Sequence, residues 1–296
     1  MSAATTIAPG TPPAGPRSSR LVTAVTRGPA AVLLAVVALL WLVPTIGLLV
    51  SSFRTAEANA DSGWWTAVTA PAQLTLDPYR NLLDDPTMTD SFVNTVLITV
   101  PSALLVVAVA SLAAYAFAWI RFRGRDVLFL IVVGLLVVPL QVALIPVARL
   151  YDLLGLFGTF PGVVLFHVAF GLPFAIFLLR NFFVGIPHEL LEAARMDGAS
   201  EWTVFAKVVL PLGLPAIASL LIFQFLWVWN DLLVALVFAG GETQPLTVTI
   251  REQLRSFSAN IDVIAPAAFL QMVVPLIVFF AFQRYFVQGL LAGSQR

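Results

Sequence analysis

The segment His188–Gly213 reads HELLEAARMDGASEWTVFAKVVLPLG and differs in composition from its surroundings. It contains six of the 32 Asp, Glu, Lys and Arg residues in a 296-residue chain, yet it lies between two long apolar runs. Pro187 suits the first turn of a helix, and Glu189 lies early in that helix, where the helix dipole favours an acid. Gly198 then interrupts the helical pattern. The segment therefore predicts a charged helix, a turn and a second helix between two apolar segments.

The whole chain is 59% hydrophobic and 11% charged, with a mean hydropathy of +0.94. A soluble domain carries about 25% charged residues, so this chain has too few to cover a water-facing surface. We therefore predict that a lipid bilayer is its solvent. The net charge of zero gives no indication of nucleic-acid binding, and the absence of cysteine excludes disulfides and thiolate metal sites.

Six apolar runs approach or exceed the length of about 20 residues that a membrane-spanning helix needs. They are residues 30–52, 92–120, 127–148, 162–179, 212–238 and 263–285. Because backbone groups in hydrocarbon must be hydrogen-bonded within the protein, we predict an all-α fold with six transmembrane helices. Residues 1–29, rich in Pro, Ser, Thr, Ala and Gly, predict a disordered tail, and residues 30–296 a single transmembrane domain.

The orientation follows from the distribution of Arg and Lys. Loops on one side of the predicted membrane, including residues 121–126 and 180–211, carry eleven of the sixteen basic residues. Cytoplasmic loops are enriched in Arg and Lys, so this side is predicted to be cytoplasmic, together with both termini. The acidic loop 53–91 then lies outside. The high Ala content and the preference for Arg over Lys, with fifteen Arg among sixteen basic residues, are typical of a GC-rich bacterial genome, so we predict a bacterial plasma membrane.

The helix–turn–helix around Gly198 has two interpretations. Gly198 suits a left-handed turn that ends the first helix, and Ser200 suits the cap of the second. Ala193 and Ala194 leave one face shallow, which would let another protein pack closely. Alternatively, the segment is an amphipathic helix that only anchors a loop at the membrane surface.

The spacing of this segment resembles the EAA loop of ABC importer permeases. That family's pattern is E-A-A, three residues, G, nine residues and I-x-L-P, and this chain differs only by Val208 in place of Ile. Three further stretches resemble the carbohydrate subgroup, specifically the smaller permease of maltose-type importers. They are AAYAFAWIRFRGR (Ala113–Arg125), WVWNDLLVAL (Trp227–Leu236) and QRYFVQGLLAG (Gln283–Gly293). The chain then departs from that subgroup's Gly-rich, Lys-containing tail at Ser294-Gln295-Arg296.

The resemblance implies a permease subunit of an ATP-driven importer for a sugar or oligosaccharide. Residues 187–211, here called the EAA segment, would couple the chain to a separate ATPase. The implied coupling residues are Glu192, Ala193, Ala194, Asp197, Gly198, Leu210 and Pro211. The implied partners are a second permease in a heterodimer, two cytoplasmic ATPase subunits that use ATP and Mg²⁺, and an extracytoplasmic solute-binding protein.

Catalytic chemistry is not expected in this chain. A phosphate-binding loop needs Lys after Gly, but the only lysine, Lys207, follows Ala206. His167 and His188 are too few and too far apart for a histidine metal site. We therefore expect no catalytic residue, no metal site and no bound cofactor, and we expect His167 to be a hydrogen-bonded packing residue.

Polar residues near the apolar runs are candidates for the substrate path. They are Asn94, Trp227, Asn230 and Asp231, since polar side chains in spans usually face a water-filled path or the bundle interior. Hydrogen bonding between helices and an aromatic belt at the membrane surface are the structural alternatives. A secondary transporter or channel for small polar solutes is the alternative function, although the chain shows no clear internal repeat.

Overall fold

Helices make up almost all of the chain that this computed structural model describes. The backbone is described for residues 18–255 and 261–294, and the side chains for residues 31–254 and 261–283. The helices are α1 (Ser18–Ser52), α2 (Ala56–Asp61), α3 (Asp77–Asp84), α4 (Pro86–Trp119), α5 (Arg125–Leu135), α6 (Leu140–Leu154), α7 (Phe160–Phe183), α8 (His188–Met196), α9 (Glu201–Val204), α10 (Leu210–Trp229), α11 (Leu233–Phe238), α12 (Leu246–Arg255) and α13 (Ile261–Ser294). Within these described ranges the only β pairing is an isolated bridge between Arg54 and Leu74. The predicted all-α fold is confirmed.

Five helical segments are long and apolar enough to cross a membrane. They are Ala31–Ser52 in α1, α4, α7, Glu201–Trp229 and Ile261–Gln283 in α13. Helices α5 and α6 pass the same test together, which gives up to six spans if the pair is one broken span. The chain is therefore a multi-pass membrane protein.

The third predicted span is not the continuous helix that residues 127–148 suggested. Helices α5 and α6 are bent by 102° at a short break that includes Pro139. Proline has no N–H to continue the helical ladder, and its ring disfavours helical backbone at the preceding residue, Val138. The apolar composition extends across the break, which is why hydropathy alone predicted one helix.

The chain divides into two units, residues 1–47 and 48–296. Helix α1 begins at Ser18, so it extends into the segment that was predicted to be a disordered tail. The stretch from Ser18 to Arg27 contains neither Gly nor Pro, the two residues least favourable in a helix. The remainder of the predicted tail, residues 1–17, lies outside the described residues.

Helices α4, α7 and α10 pack together in the unit 48–296. Small side chains let their backbones approach, and Ala110 and Ala114 of α4 and Ala175 of α7 are completely buried. A Cβ atom added at Gly171 of α7 would lie only 3.0 Å from the Val106 side chain. Association in a bilayer depends on such close packing, because lipid is as apolar as the side chains.

The fifth predicted span, residues 212–238, is also interrupted. Helix α10 ends at Trp229, and α11 begins at Leu233. The Asp231 carboxylate accepts hydrogen bonds from the backbone N–H of Val234 (3.3 Å) and Ala235 (3.0 Å). These amides begin a new helix and have no partner within it, so Asp231 caps α11 and stabilises the break.

Candidate functional site

The first half of the EAA segment is helix α8. Pro187 immediately precedes it, Glu189 lies in its first turn and Arg195 in its last turn, as the helix dipole favours. Leu191 is completely buried and belongs to the apolar core formed with α4, α7 and α10. Leu191 therefore anchors this amphipathic helix to the spans, and Ala194 packs against the same core.

Gly198 makes the predicted left-handed turn, with a φ of +82°. The backbone N–H of Gly198 donates to the Arg195 carbonyl (3.0 Å), and that of Ala199 donates to the Ala194 carbonyl (3.0 Å). These bonds satisfy carbonyls that the end of α8 leaves unpaired. A Cβ atom at Gly198 would meet nothing within 4 Å, so backbone conformation and not space requires glycine here.

The second predicted helix is shorter than expected. The Ser200 hydroxyl accepts from the Thr203 N–H (3.2 Å), which caps α9 as predicted. After only four residues α9 passes into a π-helical turn, Phe205–Val209, and α10 follows with Pro211 in its first turn. Pro211 has no N–H, and its ring crowds the carbonyl four residues earlier, so a wider turn relieves the contact.

The coupling residues inferred from the resemblance occupy two places. Glu192, Ala193, Asp197 and Gly198 are exposed, whereas Ala194 is half-buried because it also packs against the core of α4, α7 and α10. The small side chains of Ala193 and Ala194 leave this part of α8 with a shallow face. Leu210 and Pro211 lie beyond the π turn and begin α10. The structure thus places five of the seven residues on α8 and its turn, whereas the other two lie at the start of the following span.

Large apolar side chains near the shallow face are also exposed. Leu190 is 45% exposed, Trp202 66% and Met196 87%. Besides the buried Leu191, the segment therefore has large apolar side chains that remain exposed. Such side chains suit contact with another protein or with lipid headgroups.

Charged contacts hold the segment together. His188 Nδ1 lies 3.0 Å from Glu192 Oε1 within α8. The Arg195 guanidinium donates twice to the Glu201 carboxylate, at 2.9 and 3.2 Å, and this carboxylate raises the pKa of Arg195 above its ordinary value. The hydroxyl of Tyr115, on α4, also donates to Glu201. Sequence reasoning missed Tyr115, although a tyrosine near the end of an apolar run signals a hydrogen bond there.

The four substrate-path candidates do not form one site. The Asn94 amide donates to the carbonyls of Glu242 (3.0 Å) and Gln244 (3.1 Å), which fastens a loop to α4. Asn230 is exposed, and its amide donates to the Leu226 carbonyl at 2.8 Å. Asn94 therefore has a structural role, whereas the Asn230 side chain retains an exposed surface.

Trp227 and Asp231 meet at His167. The His167 ring is 5.4 Å from the Trp227 ring, edge to face, and its Nε2 lies 3.6 Å from Asp231 Oδ2. The other ring nitrogen, Nδ1, donates to the Val163 carbonyl at 2.9 Å. His167 is 1% exposed, and its Nδ1 is hydrogen-bonded as predicted for a packing residue, whereas its Nε2 is buried without a hydrogen-bond partner. Among the residues that the structure describes, no group of three or more His, Asp or Glu side chains could hold a metal ion.

The fold and the EAA segment define a class of protein, the membrane-spanning subunit of a transporter. The family model described as "Binding-protein-dependent transport system inner membrane component" matches residues 91–291. The chain belongs to this family, and it is therefore a permease subunit of a binding-protein-dependent transport system.

Two curated relatives and one solved structure are similar over most of the chain. The osmoprotective compounds uptake permease protein GgtD of Synechocystis sp. is 49% identical, over 87% of this chain and 88% of that protein. The alpha-glucoside transport system permease protein AglG of Rhizobium meliloti is also 49% identical, over 83% of this chain and 66% of that protein. A bacterial ABC transporter that imports alginate matches with a TM-score of 0.75 at 25% identity, over 93% of this chain and 100% of that one.

Proposed function

We propose that this chain forms half of the membrane path of an ATP-driven importer and is driven through α8. The observation that carries the proposal is the combination of a buried anchor, Leu191, with the shallow face at Ala193 and Ala194. An ATPase that holds the shallow face can move α8 as a rigid body, and Leu191 passes this displacement to the packed spans.

The coupling residues have different roles in this proposal. Ala193 and Ala194 allow close approach of the ATPase, and Glu192 and Asp197 offer exposed carboxylates to its basic groups. Gly198 lets the chain turn sharply between α8 and α9. Leu210 and Pro211 set the direction in which the following span begins.

The proposed substrate is a sugar or oligosaccharide. The names of the relatives support this class, because one transports alpha-glucosides and the solved neighbour imports a polysaccharide. Among the four path candidates, Trp227 and Asn230 suit a sugar best, since an aromatic ring stacks on sugar faces and an amide bonds hydroxyls. Asn94 and Asp231 contribute indirectly, by fixing the loop and the helix break beside them.

The proposed assembly contains a second permease, two cytoplasmic ATPase subunits that use ATP and Mg²⁺, and an extracytoplasmic solute-binding protein. We assign both termini and the EAA segment to the cytoplasm of a bacterium, on the basis of the eleven Arg and Lys residues on that side. In this arrangement the chain itself binds no cofactor and performs no catalysis.

Reconstitution tests this function against the alternative of a secondary transporter or channel. Proteoliposomes would contain this chain with its partner permease and ATPases, with binding protein outside and ATP with Mg²⁺ inside. We expect uptake of a radiolabelled alpha-glucoside only when ATP and binding protein are both present. Uptake that persists without ATP, and that follows an imposed proton or sodium gradient, would establish the alternative.

A further inference from the structure

A chain of polar contacts joins the end of α8 to the second span. Arg195, in the last turn of α8, makes two hydrogen bonds to the Glu201 carboxylate, one to each oxygen. The same carboxylate accepts a hydrogen bond from the hydroxyl of Tyr115, near the end of α4. Paired hydrogen bonds from a planar guanidinium fix direction as well as distance, so this contact restrains the angle of α8.

The other end of α8 also contacts α4. The ring of His188, the first residue of α8, lies 5.5 Å from the ring of Trp119, the last residue of α4. Helix α8 is therefore attached to the same span at its beginning and at its end. Two separated contacts resist rotation, which a single contact does not.

The direct route from α8 to the fifth span is less regular. It runs through Gly198, then α9, and then the π turn Phe205–Val209 before α10 begins. A π turn interrupts the regular helical hydrogen-bond ladder. Glu201 lies before the π turn, at the start of α9, and its contact with Tyr115 connects α9 directly to α4. Helix α4 in turn packs against α7 and α10.

Packing around the ring of Tyr115 fixes the position of its hydroxyl. Its side chain is only 4% exposed, and its ring lies 5.2 Å from the ring of Phe205. The ring therefore keeps its packing even when the hydroxyl is removed. The hydroxyl is the part of Tyr115 that reaches Glu201.

We propose that Tyr115 is a positioning residue that links α8 to α4 through Glu201 and Arg195. Displacement of α8 by the ATPase then pulls directly on α4, the second span. Because α4 packs against α10, the fifth span moves as well, even though the π turn separates α10 from α9. This inference rests on the proposed docking of the ATPase on α8. It adds a defined route by which the displacement enters the membrane.

The test is Tyr115→Phe, which removes the hydroxyl and keeps the ring. In proteoliposomes with the partner permease, ATPases and binding protein, the readout is radiolabelled alpha-glucoside accumulated per ATP hydrolysed. We expect normal membrane abundance and normal co-purification of the ATPase, but a ratio lower by roughly tenfold or more, since a hydrogen bond to a charged group is lost. Tyr151→Phe is the matched control, because Tyr151 is also a buried tyrosine, 7% exposed, but lies on α6.

A second readout reports the link without transport. The native chain has no cysteine, so a spin label on Met196→Cys, at an 87% exposed position of α8, is specific. We expect Tyr115→Phe to increase the mobility of this label, and Tyr151→Phe to leave it unchanged. If Tyr115→Phe lowers abundance, Glu201→Gln is measured in its place, and the same fall in transport per ATP is expected because the paired contact with Arg195 is weakened.

Unchanged label mobility together with an unchanged ratio of transport to ATP hydrolysis would overturn the link. That result is distinct from failure of the docking proposal itself. Docking fails if a charge placed on the shallow face of α8 leaves ATPase co-purification intact, whereas the link fails while docking remains sensitive to that charge.

Discussion

Trp229 and Gln271 exchange two hydrogen bonds between α10 and α13. The Trp229 indole Nε1 donates to the backbone carbonyl of Gln271 at 2.9 Å. The Gln271 side-chain amide donates to the backbone carbonyl of Trp229 at 2.8 Å. Trp229 ends its helix, so its carbonyl has no partner in the next turn. Gln271 therefore satisfies the carbonyl that the break in the fifth span leaves free, and it ties the last span to that break.

We expect Gln271→Leu to destabilise the protein. The substitution leaves the Trp229 carbonyl without its side-chain donor, and an unpaired buried acceptor costs about 1–3 kcal/mol. The melting temperature of the detergent-solubilised chain measures this loss. Gln141→Leu is the control, because Gln141 is exposed, and equal melting of the two variants would refute the role of Gln271.

The two asparagines near the proposed path are expected to behave differently. Asn94→Leu removes both hydrogen bonds to the loop at Glu242 and Gln244, so assembly and uptake should fall together. Asn230→Leu leaves the packing largely intact, because Asn230 is exposed, and should reduce uptake more than abundance. Uptake and membrane abundance are measured for both variants in the same cells. A parallel loss of both quantities in Asn230→Leu would exclude Asn230 from the path.

Arg54 is completely buried and organises the segment after the first span. Its guanidinium donates to Gln73 Oε1 (2.7 Å), Asn59 Oδ1 (3.3 Å) and the Ser62 carbonyl (3.1 Å). We expect Arg54→Met to loosen residues 55–76, at about 1–3 kcal/mol for each buried acceptor left unpaired. Faster proteolysis of this segment in solubilised protein would show it.

Arg80→Met provides the control for Arg54. The Arg80 side chain is 73% exposed, and its ion pair with Asp77 (3.0 Å) lies in solvent, where such pairs contribute little. Cleavage should therefore stay at the rate of the unsubstituted protein. If Arg54→Met were cleaved no faster than Arg80→Met, the guanidinium would not be the centre of this segment.

The orientation can be tested by labelling single cysteines, since the chain has none of its own. An impermeant thiol reagent added to intact spheroplasts should label Asp77→Cys and not Gly124→Cys. Both positions are exposed, so accessibility to solvent does not bias the comparison. Labelling of Gly124→Cys alone would reverse the assignment of the two sides.

The sequence predicted those turns and helix caps that depend only on residues close together in the chain. The left-handed turn at Gly198 and the cap at Ser200 follow from residue types at fixed positions, and both are present. The apolar runs located the spans, because burial in lipid depends on composition over about 20 residues. The break at Pro139 was missed because hydropathy does not distinguish an apolar helix from an apolar break. The break after Trp229 was missed because Asn230 and Asp231 were interpreted as polar residues within a continuous span.

Contacts between distant parts of the chain could not be predicted in the same way. Tyr115 and Glu201 are 86 positions apart, and nothing near either residue indicates the other. Asn94 was grouped with Asn230 because both are amides near apolar runs. Only the fold reveals that the Asn94 amide is committed to two backbone carbonyls.

The central claim is that the shallow face of α8 is the surface that holds the ATPase. Co-purification of the ATPase with an affinity-tagged chain, from solubilised membranes, tests it most directly in Ala193→Asp and Ala194→Asp. A carboxylate buried in that interface without a partner costs several kcal/mol, about 3–5 by analogy with broken buried ion pairs. Ala70→Asp, exposed in the segment before α3, is the matched control. We expect normal membrane abundance of Ala193→Asp and Ala70→Asp, with loss of the ATPase from the α8 variants alone. Ala194 also packs against the core, so Ala194→Asp counts only if its membrane abundance equals that of Ala193→Asp. Full recovery of the ATPase with both α8 variants would contradict the account and leave α8 as a helix that only anchors a loop at the membrane surface.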